Sequence, residues 1–578
     1  MPPRSSKQLS VFYALVLCFS AQSLGAQQQD WYQENAEKVN PTADGWPSEA
    51  LHDAAKEQFE RLLNASYHAN EMPDALFADD FSGTALIAER TKNSYLQEDM
   101  TVVEGIDLDA SPRLGAADWY AASTCAGDFF NTIFKITSID LDSNEYFGTS
   151  VIVHAAFGGL PFLNQINQEF YATWLYPADK DSAPLLRSIK LDKYQVTSTA
   201  KPLFSDVSAA VFSKVPRHRQ ELLHGVDKYI NKTDRIIGSS LIGSQGMALG
   251  DINGDGLDDI YLAQQGGLAN RLYIHQKDGS VIENAATAGV DFLDNTRGVL
   301  LCDFDNDGDQ DLAVAVGANI LIAYNDGTGI FTERAALRMT DPADIYSMTA
   351  GDPDNDGDLD IYACRYVLGG IMGGVPAPYH DADNGATNFF WRNDGNQKWN
   401  ESAAAVGLDD NNHKFSMAAV WHDLDDDGDL DLYVSNDFGR NNLYINDGQG
   451  HFSDQAVALG ADDIGAAMGV SVSDYDRDGD SDILVTNMFS SAGRRIATQP
   501  DRFMKGQAQD VHKDYVRHAR GNTLLANEKG KFVDKTESSQ MTVGGWGWGA
   551  SFIDFNNDGY ADIYSPNGFV TSEKSKDL

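Results

Sequence analysis

Between residues 247 and 565, short apolar runs alternate with acidic turns in a fixed order. A run such as MALG from Met247, VLLC from Val299 or MAAVWH from Met417 enters a nine-residue turn. A second run, with apolar residues in β-like alternation, leaves it, as in DIYLAQ from Asp259, DLAVAV from Asp311 and DLYVSN from Asp431. Two such runs flanking a tight turn predict an antiparallel hairpin. A second hairpin signal follows each of the first five turns, at residues 271–284, 320–333, 389–401, 442–454 and 523–535. Four strands per repeat, with turns starting 52, 49, 71, 51 and 80 residues apart, predict a mainly β fold, a propeller of six to seven four-stranded blades. The two long intervals are insertions inside otherwise normal blades, residues 366–388 and 488–520. Turns between first and second strands leave one face of a propeller and connections between second and third strands leave the other. The insertions are therefore expected opposite the acidic turns.

Upstream the pattern changes. Residues 45–80 read as helix, with Leu51, Ala54, Ala55, Phe59, Leu62 and Leu63 on one face, and residues 130–200 read as four long strands. Helices followed by a long-stranded meander predict an α+β domain over residues 27–200. Its element order resembles the cone-shaped fold of the nuclear transport factor 2 class, which implies a pocket that His154, Tyr171 and Trp174 are candidates to line. The segment KPLFSDVSAAVFS, residues 201–213, is similar to the outer-strand ends HFSDQAVALG and KFVDKTESSQ. It is expected as a strand that pairs near Asp554 and closes a propeller domain spanning residues 201–578, so that no sheet edge is left bare.

The turns carry the chemistry. They read DINGDGLDD from Asp251, DFDNDGDQD from Asp303, DPDNDGDLD from Asp352, DLDDDGDLD from Asp423, DYDRDGDSD from Asp474 and DFNNDGYAD from Asp554. Oxygen-bearing side chains stand at positions 1, 3, 5 and 9, with Gly at position 6 for the sharp bend and a backbone carbonyl available at position 7. Candidate ligands are Asp251, Asn253, Asp255, Leu257 and Asp259; Asp303, Asp305, Asp307, Asp309 and Asp311; Asp352, Asp354, Asp356, Asp358 and Asp360. The later turns add Asp423, Asp425, Asp427, Asp429 and Asp431; Asp474, Asp476, Asp478, Asp480 and Asp482; Asp554, Asn556, Asp558, Tyr560 and Asp562. Oxygen-only ligation without Cys or His selects Ca²⁺, about six ions in all. An EF-hand is excluded, because position 12 is Leu262, Val314, Ala363, Val434, Val485 or Ser565 where that loop needs Glu.

These turns, with hairpins of the form N-x-L-Y-x-N-x-G-x-G-x-F, resemble the FG-GAP and VCBS repeats of the calcium-bearing propeller of integrin alpha subunits. GWGWGASFIDFNNDGYADIYSPNGF from Gly545 and NMFSSAGRRI from Asn487 are similar to the bacterial cartilage-acidic-protein-like group, also called ASPIC and UnbV. The resemblance covers residues 240–570 and implies a fold more than a function, since such propellers serve adhesion proteins and enzymes alike. That family usually runs on past the point where Leu578 stands, so the last blade is expected to borrow strands from elsewhere or to be cut short.

Composition narrows the partners. The formal charge is −43, and the six turns hold 28 of the 86 acidic residues. Such a chain repels nucleic acid and anionic membranes. Residues 1–26 carry Arg4 and Lys7, an apolar run and small residues ending at Ala26, the pattern of a secretory signal. With no later apolar span, the expected location is secreted, periplasmic or at the cell surface. Cys125, Cys302 and Cys364 remain once the signal is removed, and the two in the propeller, Cys302 and Cys364, read as small buried residues. The first insertion offers Tyr379 and His380 to a sugar or peptide. The second, residues 493–521, has a net charge of +4 and offers Arg494, Arg495 and Arg517 to an acidic polysaccharide or to a partner's carboxylates. Two readings follow: a calcium-stabilised binding or adhesion module for protein or glycan, without catalytic residues, or an extracellular polysaccharide lyase or hydrolase with its site on the insertion face or in the N-terminal pocket.

Overall fold

A computed structural model describes residues 47–566 apart from 98, 126, 142, 160–161, 180–181, 223–244, 340–342, 367–375, 500–502, 504–507 and 543. The expected signal segment lies outside the described residues. The chain divides into two compact units that part between Phe204 and Ser205.

The first unit is α+β. Strands β1 (Phe77–Gly83), β2 (Thr91–Leu96), β3 (Met100–Gly105), β4 (Phe129–Asp140), β5 (Tyr146–Gly159), β6 (Phe162–Leu175) and β7 (Leu185–Thr199) form one sheet in the order β2-β3-β7-β6-β5-β4, with β1 parallel beside β7. Helix α1 (Pro47–Tyr67) lays Leu51, Ala55, Phe59, Leu62 and Leu63 into the core, and Phe59 meets Phe134, Phe170 and Trp174 edge-on. The three residues proposed to share a pocket are used separately. Trp174 is fully buried and donates to Thr149, the Tyr171 hydroxyl donates to Asp140, and His154 Nδ1 meets Asn167.

Among the described residues the second unit holds three separate four-stranded antiparallel sheets and one eight-stranded sheet that joins two further sets of four, each set with the strand count and order expected of a propeller blade. Sheet 1 comprises Met247–Gly250, Asp259–Leu262, Arg271–His275 and Val281–Glu283, and sheet 2 comprises Thr296–Cys302, Asp311–Val316, Asn319–Asn325 and Phe331–Leu337. Sheet 3 comprises Ile345–Gly351, Asp360–Arg365, Phe389–Asn393 and Trp399–Glu401; sheet 4, Phe415–His422, Asp431–Arg440, Asn442–Asn446 and Phe452–Asp454. Sheet 5 comprises Ile464–Ser473, Asp482–Asn487, Thr523–Asn527 and Phe532–Asp534, and a sixth pair, Ser551–Ile553 with Asp562–Tyr564, follows. First strands touch in chain order. Apolar clusters fill the space between successive sheets, for example Tyr261 and Leu272 against Leu312, Val314 and Phe331. Sheets 4 and 5 are further joined, because the second strand of sheet 4 runs on to Arg440 and pairs with the first strand of sheet 5. Cys302 and Cys364 lie in strands as free thiols.

The strand expected at residues 201–213 is not formed. Ser208–Val211 and Phe212–Lys214 are helical turns, and among the described residues the sixth pair gains no strand from them. The reason lies in what the segment resembles. In HFSDQAVALG only Phe452–Asp454 is strand, while Ala456–Leu459 is a helical turn whose first free N–H, on Ala456, is taken by Asp454. Asp206 accepts from Ser208 N–H in the same way, so FSDVSAAV reproduces the capped turn. Val211 and Phe212 pack with Val215 against Tyr273 and Val281 of sheet 1, much as Ala285 and Ala288 of sheet 1 pack against sheet 2.

Candidate functional site

All six acidic turns share one backbone geometry. The first Asp accepts from the N–H of position 5 and from the Gly N–H of position 6, at 2.8–3.2 Å. Position 4 is left-handed throughout, with Gly254, Asn306, Asn355, Asp426, Arg477 and Asn557 at φ between 56° and 69°. Asn, Asp and Gly tolerate that region best, and Arg477 is the exception. The ninth-position Asp is a structural anchor as well as a candidate ligand. In turns 1, 2, 4 and 5 one oxygen accepts from the N–H of position 2 and the other from the third strand, as Asp311 does from Phe304 and Asn325. Turn 3 breaks this rule. Its position 2 is Pro353, which has no N–H, so Asp360 keeps Oδ1 on Asn393 N–H while Oδ2 is buried without a partner.

The carboxylates crowd together. Asp303, Asp305 and Asp311; Asp352, Asp354 and Asp356; Asp423, Asp425 and Asp431; and Asp474, Asp476 and Asp482 each bring one oxygen apiece to within 4.8 Å of one another. Burial pushes Asp311 and Asp431 up to about 7, Asp482 to about 6 and Asp360 to about 8, and neighbouring carboxylates add to each rise. Asp309 Oδ1, Asp354 Oδ1, Asp425 Oδ1 and Asp429 Oδ1 are buried with no hydrogen-bond partner. Converging, orphaned, oxygen-only donors fit a hard divalent cation, and the donor set fits Ca²⁺. The orphans at Asp309 and Asp429 are position-7 side chains, which adds a ligand type to the carbonyl expected there. Turns 1 and 6, with Asn253 and Asn556 at position 3 and Leu257 and Tyr560 at position 7, are not among the four acidic clusters.

The opposite end of sheets 3 to 5 is where the insertions meet. In the second insertion, helices α2 (Ser491–Ala497) and α3 (Gln509–His518) form. Tyr379 and His380 of the first insertion reach α3: the Tyr379 and Tyr515 rings lie 6.2 Å apart and within 13° of parallel, and His380 packs 5.6 Å from Tyr515. One arginine binds the two insertions together. Arg440 pairs with Asp381 of the first at 3.3 Å, with Asp514 of the second at 3.6 Å, and with Asp462, while Lys414 approaches Asp381 from below. The backbone is shaped for this. Phe438 is left-handed at φ 61°, its carbonyl accepts from Ala382 N–H, and a Cβ on Gly439 would lie 2.9 Å from Ala382 O. Beneath, Asp437 is buried, accepts from the Tyr366 hydroxyl at 2.6 Å and is pushed up to about 7, chiefly by burial.

The arginines expected to form a cationic seat on the second insertion are placed differently from one another. Arg495 is buried, Arg517 is paired with the buried Asp463 at 3.0 Å, and Arg520 is paired with Asp534. Arg494 lies over the Phe489 ring. Three of the insertion's bases, Arg495, Arg517 and Arg520, are thus taken up within the fold, while Lys513 is exposed and Arg502 and Lys505 lie outside the described residues. Sequence reasoning missed Asp437, Phe438, Gly439 and Arg440. Their signal is that NDFGR lengthens the second strand of sheet 4 beyond its counterparts.

The model of the FG-GAP-like repeat matches residues 251–314, 303–363, 423–485 and 509–565, so each match begins at or before one acidic turn and ends in, or one residue past, the strand beyond the next or its own. The chain carries FG-GAP-like repeats. Its repeats are also distantly homologous to cartilage acidic protein 1. The Xenopus tropicalis protein is 25% identical over 264 residues, 42% of this chain and 40% of that one, and the Mus musculus protein is 30% identical over 129 residues, 22% and 20%. The alignments thus span less than half of either relative. Among solved structures, one described as an Agrocybe aegerita lectin in recognition of non-reducing terminal N-acetylglucosamine aligns over 72% of this chain and 81% of that one, at 12% identity and a TM-score of 0.30. A likeness at that score fixes neither fold nor ligand. Among the described residues no helix is long and apolar enough to cross a membrane.

Proposed function

We propose that this FG-GAP-repeat protein is a calcium-stabilised propeller, working outside the cytoplasm, that binds protein or glycan through the face opposite its acidic turns. Calcium acts structurally, holding carboxylates that otherwise repel one another and so favouring the folded chain over an unfolded one that cannot collect the ions. The observation that carries the reading is the clasp of Arg440 on Asp381 and Asp514. It joins two insertions that a bare repeat does not need and leaves Tyr379, 44% exposed, beside Tyr515 at their junction. Loops carried on a rigid scaffold are where recognition is built. The test is retention of the calcium-loaded full chain on immobilised cell-surface and extracellular-matrix preparations. Retention should fall when Tyr379 and Tyr515 are both changed to Ala, and should be lost in excess chelator. Equal retention of the double variant would refute the assignment of the face.

A further inference from the structure

We infer that the junction of the two insertions is a binding site for an uncharged sugar, stacked on Tyr379 and Tyr515 and hydrogen-bonded by Asp381, Asp514 and Arg440. The inference rests on the proposed binding face and narrows its ligand to one class. Three features of the site select that class.

The first is shape. Tyr379 and Tyr515 stand nearly parallel, and Tyr379 is backed by Phe438 at 4.9 Å and His518 at 5.6 Å, while Phe503 meets Tyr515 edge-on at 5.1 Å. The rings are therefore held in place before any ligand arrives, and a fixed aromatic face matches the C–H face of a pyranose at little entropic cost. The second is the polar rim. Asp381 directly follows Tyr379 and His380 in the chain, and Asp514 directly precedes Tyr515, so the two carboxylates stand on the same segments that carry the rings. Arg440 fixes both carboxylates, and Arg440 N–H also donates to Asp381 at 3.1 Å. Planar, pre-oriented carboxylates and a guanidinium beside an aromatic ring offer paired acceptors and donors to vicinal hydroxyls.

The third is charge. Around the rings, Asp381, Asp462 and Asp514 face Arg440 and Lys414, and the deeper Arg517 is taken by Asp463. A uronate or sulfate would add a negative charge beside the three carboxylates that share Arg440, on a chain of net charge −43. The site thus turns away the acidic polysaccharide that the insertion's composition alone favours.

The experiment is calorimetric titration of the calcium-loaded full chain with neutral hexasaccharides (cellohexaose, xylohexaose, chitohexaose) and with hexagalacturonate as the acidic arm. At least one neutral probe should bind, and Tyr379→Ala and Tyr515→Ala should each weaken it about tenfold. Asp514→Asn should weaken it as well, and Lys277→Ala, exposed in the outer hairpin of sheet 1, should leave it unchanged. Melting temperatures within a few degrees of the parent keep a loss of binding from being read as a loss of fold. Should Arg440→Ala prove unstable, Arg440→Lys, which keeps the charge and loses the fork, is expected to weaken neutral sugar measurably. Absence of binding by every neutral probe, binding of hexagalacturonate in preference, or full binding by the two tyrosine variants overturns the inference. If the neutral probes fail while the double tyrosine variant still loses retention on the surface preparations, the binding face stands and the sugar falls. If retention is also unchanged, both fall.

Discussion

Two single residues test how the turns and the insertion face are held. Pro353 denies Asp360 the backbone donor that its counterparts enjoy, and Asp360 Oδ2 is left buried and unpaired, with its carboxyl at about 8 against about 7 for Asp311 and Asp431. Pro353→Ala restores an N–H. Above about pH 8, where the Asp360 carboxyl is ionised, a recovered hydrogen bond to it is worth about 1.5–3 kcal/mol, offset by about 0.4–1 kcal/mol of regained freedom in the unfolded chain. The metal-free variant should therefore melt higher than the parent in excess chelator, and an equal or lower melt would show that Oδ2 is satisfied some other way. Asp437 poses the opposite problem, a buried acid away from the turns. Its folded value of about 7 lies above the ordinary 3.8, so the stability it contributes is complete below about pH 4 and is lost as pH rises through about 7. Asp437→Asn has no proton to lose. Measured in saturating calcium, the difference in melting temperature between variant and parent should move in the variant's favour from pH 5 to pH 8, and a constant difference would contradict the assignment.

At the scale of elements, the outer hairpins do more than complete their own sheets. Asn446 donates to Pro353 O in the turn of the preceding sheet and to Leu430 O, and its Oδ1 accepts from Gly448 and Gly450 N–H. Asn325, Asn393 and Asn527 reach back to Ile252, Phe304 and Leu424 in the same way. Each hairpin thus ties down its neighbour's acidic turn. Asn446→Ala orphans buried groups on both sides and should cost about 2–4 kcal/mol, read as a lower urea midpoint with an unchanged slope. This linkage also shows what the sequence could carry. The alternation around Asp259, Asp311 and Asp431 reveals strands because each side chain has one face to choose, and the repeated Asn-x-Gly signals follow from the turn geometry. FSDVSAAV was misread because FSD ends a strand and also begins a capped helical turn, and only packing against Tyr273 decides between them. The meeting of Tyr379 with Tyr515, separated by more than a hundred residues, is set by Arg440 and by the left-handed Phe438. No local pattern encodes such a contact.

For the whole molecule, the acids of the turns set how stability depends on pH and on metal together. The ninth-position carboxyls of turns 2 to 5 sit at about 7, 8, 7 and 6, all above the ordinary 3.8, so the metal-free folded chain holds protons that the unfolded chain has released. Stability from these groups is fully present below about pH 4 and drains away as pH rises through 6 to 8. Self-repulsion of a chain with net charge −43 acts in the same direction. Calcium bound as proposed would reverse the sign, because it would take the deprotonated carboxylates and release those protons, making the ion more stabilising at the higher pH. The melting temperature in excess chelator should therefore fall steadily from pH 5 to pH 8, while in millimolar calcium it should hold or rise over the same range. The gap between the two curves should widen with pH, and magnesium at equal concentration should close little of it, since that ion prefers to keep its water. Parallel curves, or a gap that narrows toward pH 8, would mean that the orphaned oxygens of Asp309, Asp354, Asp425 and Asp429 are not where the ions sit.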